Sequence, residues 1–190
     1  MKKLWFAVLA LLCISAVIAV AAEKEKSHLR ARMTGIEETN PTTIITNGTG
    51  TFKATINDDS TITYTLTYAN LSTPVTQSHI HIGATKITGN VSIFLCTNLG
   101  NGPAGTPTCP NDATNSGSVS HTVSAADVIG PASQGIPAGD MADVVRAIAS
   151  HVTYVNVHST AHPAGEIRGQ IRQRGDDEDD ELPGADHHSH

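Results

Sequence analysis

The stretch YVNVHSTAHPAGEIRGQI at residues 154–171, together with HIHIG at 79–83, decides how this chain folds. Each opens as an alternating run. His79 and His81 oppose Ile80 and Ile82, while Tyr154, Asn156 and His158 oppose Val155 and Val157. A strand sends successive side chains to opposite faces, so a two-residue period predicts strands with one apolar and one polar face. The longer stretch breaks at Pro163-Ala164-Gly165 and resumes as a further strand, where Glu166, Arg168 and Gln170 alternate with Ile167 and Ile171.

The same period extends outward through the chain. LRARMTG at 29–35 alternates Leu29, Ala31 and Met33 with Arg30, Arg32 and Thr34, and TFKATIN at 51–57 places Phe52, Ala54 and Ile56 on one face. NDDS at 57–60 is a turn cluster joining that run to TITYTLTYANL, where Ile62, Tyr64, Leu66 and Tyr68 share a face; a hairpin is expected. VSIFLCT at 91–97 and GSVSHTVS at 117–124 add two more strands. The period changes after Ser124. SAAD at 124–127 has the form of a helix N-cap, and Asp140 opens a better helix to about Ser150. Met141, Val144, Val145 and Ile148 form one apolar stripe in it. The fold class predicted is all-β: a Greek-key β-sandwich or flattened barrel of about eight short strands with a short helical insertion.

Charge and ends bound the function. The formal net charge is −6, but DDEDDE at 176–181 supplies six negative charges alone, so the rest is near neutral and offers no basic nucleic-acid surface. Lys2 and Lys3 precede an apolar run to Ala22 that ends in small residues and is followed by EKEK. This pattern predicts a signal peptide over 1–22 and an exported, periplasmic or extracellular protein with no membrane attachment after cleavage. A retained anchor is the rival reading, since 4–22 is just long enough to span. Cys13 lies within that segment behind Leu11-Leu12, which does not suit lipidation. Cys96 and Cys109 then remain as one pair without CxxC spacing, and in an oxidising compartment they read as a disulfide. Closing the Gly- and Pro-rich loop between them should stabilise by about 3 kcal/mol. The tail 175–190, acidic and carrying His187, His188 and His190, is expected to be disordered.

The pairing of HIHIG with YVNVHSTAHPAGEIRGQI resembles the CHRD domain, the chordin-type module common in secreted bacterial proteins. The likeness covers most of 28–172, which places the domain at 28–174. His79, His81 and Gly83 match its first motif, Ala84 follows as in the family, and Thr85-Lys86-Ile87-Thr88-Gly89 replaces the usual Gly-rich continuation. The helix before the second motif sits where the family keeps one, and the glutamate expected near the amino end resembles Glu37 or Glu38. The resemblance implies an exported binding or structural module of the cell envelope or exterior, with a protein partner and no assigned catalytic residue. A more distant, architectural likeness is to Cu/Zn superoxide dismutase. His79 and His81 resemble its HxH strand, and His158 its later copper-binding histidine. The chain lacks a long zinc loop and a bridging histidine, so that likeness implies architecture rather than dismutase activity.

Parity supplies the candidate site. If Ile80, Ile82, Val155 and Val157 are core, then His79, His81 and His158 all lie on the outer face, where a loop can cover them. Three neutral imidazoles suit copper or zinc, with His162 in the following loop as a candidate fourth ligand and redox chemistry as an extension. The alternative is structural, the imidazoles bonding to neighbouring strands and to Glu166. Glu166 and Arg168 share a parity and read as an ion pair at or near the surface.

Overall fold

A computed structural model describes residues 27–174. The expected signal segment, Cys13 and the tail with its three histidines lie outside these residues. The strands are β1 (Ser27–Thr34), β2 (Thr49–Ile56), β3 (Ile62–Ala69), β4 (Val75–Ile82), β5 (Asn90–Thr97), β6 (Gly117–Val123), β7 (Thr153–Ser159), β8 (Ile167–Gln170) and the short β9 (Arg172–Gln173). One α-helix, α1 (Met141–Ala149), precedes β7. Among the described residues no helix is long and apolar enough to cross a membrane.

The strands pair antiparallel in the order β5-β4-β7-β8-β1-β2-β3-β6, with β9 added to β1. The two edges of this sheet come round to face each other. Ile93 of β5 bridges Val128 beyond β6, the Ile129 N–H donates to the Ser92 carbonyl at 2.9 Å, and the Tyr64 hydroxyl of β3 donates to the Leu95 carbonyl of β5. The result is a nearly closed barrel. β4 and β5 are paired, β6 lies across the seam, and β7 returns beside β4; this is the Greek-key connection.

The alternation read from the sequence fills the interior. Phe52, Ile62, Leu66, Ile93, Leu95, Val155, Val157 and Ile167 are all fully buried. The hairpin of β2 and β3 runs in unbroken register from Thr49–Ala69 to Ile56–Ile62. The helix forms as expected. The Asp140 carboxylate accepts the Asp143 N–H at 3.0 Å as an N-cap, and Met141, Val144, Ala147 and Ile148 are buried. Val145 is only half-buried, because its side of the stripe turns towards solvent. SAAD at 124–127 departs from expectation: it makes a single 3-10 turn over Ala125–Asp127 rather than a helix. Asp127 accepts both the N–H and the hydroxyl of Ser124, satisfying the cap, and the extended Val128 then leads into the bridge with β5.

Cys96 and Cys109 form a disulfide with Cα atoms 5.0 Å apart, and both are buried. The loop between them is organised by side-chain amides. Asn98 accepts the Cys109 N–H at 3.0 Å and donates to the carbonyls of Cys109 and Val75, while Thr97 donates to Asn101.

Candidate functional site

β4 and β7 break the pattern of β1 and β3. β1 and β3 alternate between buried and exposed, whereas the last five residues of β4 and all of β7 are buried. Both faces of these two strands are therefore covered. The inner face holds Ile80, Ile82, Val155 and Val157, fixed by the barrel core. In the antiparallel register His79 lies opposite Asn156, His81 opposite Tyr154 and Gln77 opposite His158, so the polar residues share the outer face. The pairing of β4 with β5 shifts at Ser78/His79 and again at Ile80/His81, which bends this strand at its histidines.

Three segments roof the outer face. The first is 35–48 between β1 and β2, the second is 83–89 between β4 and β5, and the third is the Pro163-Ala164-Gly165 turn. Arg168 of β8 ties the first two together: its guanidinium donates to the Thr39 hydroxyl at 2.7 Å and to the carbonyls of Ala84 and Ile87 at 3.1 and 3.0 Å. It also lies 3.5 Å above the Tyr154 ring, which stacks on His81 at 4.7 Å between centroids. A Lys86–Glu37 ion pair at 2.9 Å joins the same two segments at the surface.

Under this roof the structure brings His79, His81 and His158 together. They are 2%, 7% and 6% exposed, and they offer nitrogens that all lie within 4.8 Å of one another. Their hydrogen bonds assign the protons. His81 Nδ1 faces the Gly89 carbonyl at 3.0 Å and His158 Nδ1 faces the Pro163 carbonyl at 2.9 Å. Carbonyls only accept, so each Nδ1 carries the hydrogen and each Nε2 the lone pair. His158 Nε2 then accepts from His79 Nδ1 at 3.1 Å. His79 Nε2 and His81 Nε2 are buried acceptors with no partner. Such a group costs about 1–3 kcal/mol.

The cluster is electrostatically set to stay neutral. Burial, reinforced by repulsion from His158 and His81, holds His79 down at about 2. Burial holds His81 at about 4 against the opposing pull of the Gly89 carbonyl, and His158 is lowered by burial against the pull of the Pro163 carbonyl and Glu38. His79 and His81 thus hold free lone pairs at Nε2, while that of His158 Nε2 takes the His79 Nδ1 hydrogen; released from that bond it completes a three-nitrogen set suited to a borderline transition metal.

Other expected residues fall elsewhere. His162 does not join the cluster. It sits half-buried in the turn after β7, whose backbone bonds to Ser159 and Gly165 fix it outside the strand that carries His158. Glu166 and Arg168 are both fully or nearly fully buried and do not pair. Glu166 accepts from the Thr46 hydroxyl and from the N–H and hydroxyl of Ser72, while Arg168 reaches the other way to Thr39, Ala84 and Ile87. Of the two candidate glutamates, Glu38 is the buried one. Its Oε2 accepts the Asn156 amide at 3.2 Å and its Oε1 the N–H groups of Thr39 and Asn40. Gly165 makes this contact possible. It has φ +132°, and a Cβ there would lie 2.4 Å from both Asn156 Nδ2 and Glu38 Oε2. The inward role of Asn156 was open to a parity reading, since it shares a face with Tyr154 and His158; the Glu38 contact, 118 residues away in sequence, left no local signal.

An antiparallel, nearly closed barrel with a roofed polar cluster on its outer face defines an all-β module with one built site. The family model described as the CHRD domain matches residues 29–171, and the chain belongs to that family. No curated protein and no solved structure matches it.

Proposed function

We propose that this chain is an exported CHRD-domain binding module whose ligand is a transition-metal ion, copper first and zinc second, held by His79, His81 and His158. The observation that carries this is the pair of buried, partnerless acceptors, His79 Nε2 and His81 Nε2, in a cluster held neutral. Export to the periplasm or exterior is supported by the Cys96–Cys109 disulfide and by the extracellular character of CHRD domains. The test is metal analysis of protein purified from the periplasm without an affinity tag, with His187, His188 and His190 replaced by glutamine. One copper or zinc per chain is expected, lost on His81→Gln. Protein that takes up neither ion under competition with a weak chelator would refute the reading.

A second reading is a module that docks an envelope or extracellular protein. Ile36, Ile45 and Ile87, 65%, 88% and 59% exposed on the two segments that roof the cluster, favour it. Replacing all three by serine should abolish such docking and leave metal content unchanged.

A further inference from the structure

On the reading of the histidine cluster as a metal site, we infer that Asn156 is its fourth ligand through Oδ1, that Glu38 sets the orientation of that amide, and that the ion is divalent. Asn156 occupies the middle of the cluster. It lies directly opposite His79 across the β4–β7 ladder, and on β7 it stands between Tyr154 and His158 on the same face. Its amide has only one way round. A carboxylate accepts and does not donate, so Nδ2 must face Glu38 Oε2, and Oδ1 is turned to the opposite side.

On that side Oδ1 is buried and has no hydrogen-bond partner. His81 directs its Nδ1 hydrogen to the Gly89 carbonyl, so its lone pair is at Nε2. On this one face of the β4–β7 ladder three buried acceptors, His81 Nε2, Asn156 Oδ1 and His79 Nε2, thus have no hydrogen-bond partner. Buried acceptors are nearly always satisfied. A cation satisfies all of them at once, whereas a proton satisfies one.

The surrounding residues are arranged to keep the amide in this orientation. Glu38 is fully buried, and its other oxygen is held by the N–H groups of Thr39 and Asn40. Gly165 packs against both partners so closely that no side chain fits. With His158 Nε2 exchanging its bond from His79 for the ion, the donor set is three imidazole nitrogens and one amide oxygen, with no sulfur. Such a set suits Cu²⁺ or Zn²⁺, whereas Cu⁺ is selected by thiolate and thioether.

The test uses the full chain with His187, His188 and His190 replaced by glutamine and Cu²⁺ as the probe. Asn156→Ala should weaken Cu²⁺ binding by about 10–100-fold and alter the Cu²⁺ electron paramagnetic resonance spectrum. Glu38→Gln should weaken it too, because the new amide N–H groups face Asn156 Nδ2 and turn the Asn156 amide over, pointing a donor at the ion. The double variant Glu38→Gln, Asn156→Asp should recover binding, since the carboxylate introduced on β7 accepts from the new amide with one oxygen and faces the ion with the other. A merely structural role for the pair would not reverse in this way. Wild-type protein labelled with 13C-asparagine should show 13C hyperfine coupling to bound Cu²⁺, a readout that needs no variant to fold. Affinity in Asn156→Ala within twofold of wild type, or absent 13C coupling in the labelled protein, overturns the inference and leaves the three-histidine reading intact. Wild-type protein that binds neither Cu²⁺ nor Zn²⁺ overturns both.

Discussion

Mild acid should destabilise the metal-free protein through its buried histidines, and the sign and size follow from linkage. A histidine in the unfolded chain titrates near 6.5, whereas burial holds His81 at about 4 and His79 at about 2. Between those values the unfolded state binds protons that the folded state refuses, so stability falls as pH drops below about 6.5. From pH 7 to pH 5 each such histidine removes about 2 kcal/mol, or about 4 kcal/mol for His79 and His81 together. His158 is also lowered by burial and adds in the same direction. Glu38, Arg168 and Tyr154 face the cluster and stay in place in the control, a His79→Gln, His81→Gln protein. The assay is urea unfolding at pH 7.0, 6.0 and 5.0 in the presence of a chelator, comparing the pH slope of wild type with that of the control. A wild-type slope equal to the control's would refute the assignment of these two rings as neutral and buried. A metal bound as proposed would reinforce the effect, since it would bind the unprotonated rings of the folded state alone.

Replacing Cys96 and Cys109 by serine should lower stability by about 3 kcal/mol, read by denaturant unfolding, with mass analysis of the wild type showing no free thiol at either position. Gly165→Ala combines a left-handed φ with a Cβ 2.4 Å from Asn156 and Glu38, so it should cost roughly 3 kcal/mol of stability, read by chemical unfolding. Arg168→Met removes a charged donor shared by Thr39, Ala84 and Ile87, and amide exchange at 83–89 should quicken markedly. Arg168→Lys should not restore slow exchange there, because one ammonium cannot span both segments and also stack on Tyr154.

The barrel was largely legible in the sequence because its strands carry their own period. Leu29, Ala31 and Met33, or Ile62, Tyr64, Leu66 and Tyr68, declare an inner face without reference to any other strand. The meeting of His79, His81 and His158 was legible for the same reason: parity fixes the face, and the apolar partners Ile80, Ile82, Val155 and Val157 fix which face is inner. The capping turn at Ser124 resembles the start of a longer helix, because the cap residues are the same for one turn as for several. Glu166 and Arg168 resemble a pair because parity says which side a residue takes, but not which way a long side chain then leans.

The burial of the histidines shows what parity alone leaves out. An outer face of a sheet is ordinarily wet, and three histidines there would titrate near their usual value. Here the face is dry because segments far apart in sequence close over it: Glu38 from 35–48, the Gly89 carbonyl from 83–89 and the Pro163 carbonyl from the turn before β8. Each of these contributes one acceptor to the roof, and two of them fix the tautomer of a histidine beneath. Gly89 and Gly165 sit where a Cβ would meet the Ile82 carbonyl and the Glu38–Asn156 pair respectively, so the roof can descend only where glycine is present. HIHIG, Gly89 and PAG are therefore parts of one device, in which the histidines supply lone pairs and the two glycines let the backbone come close over them.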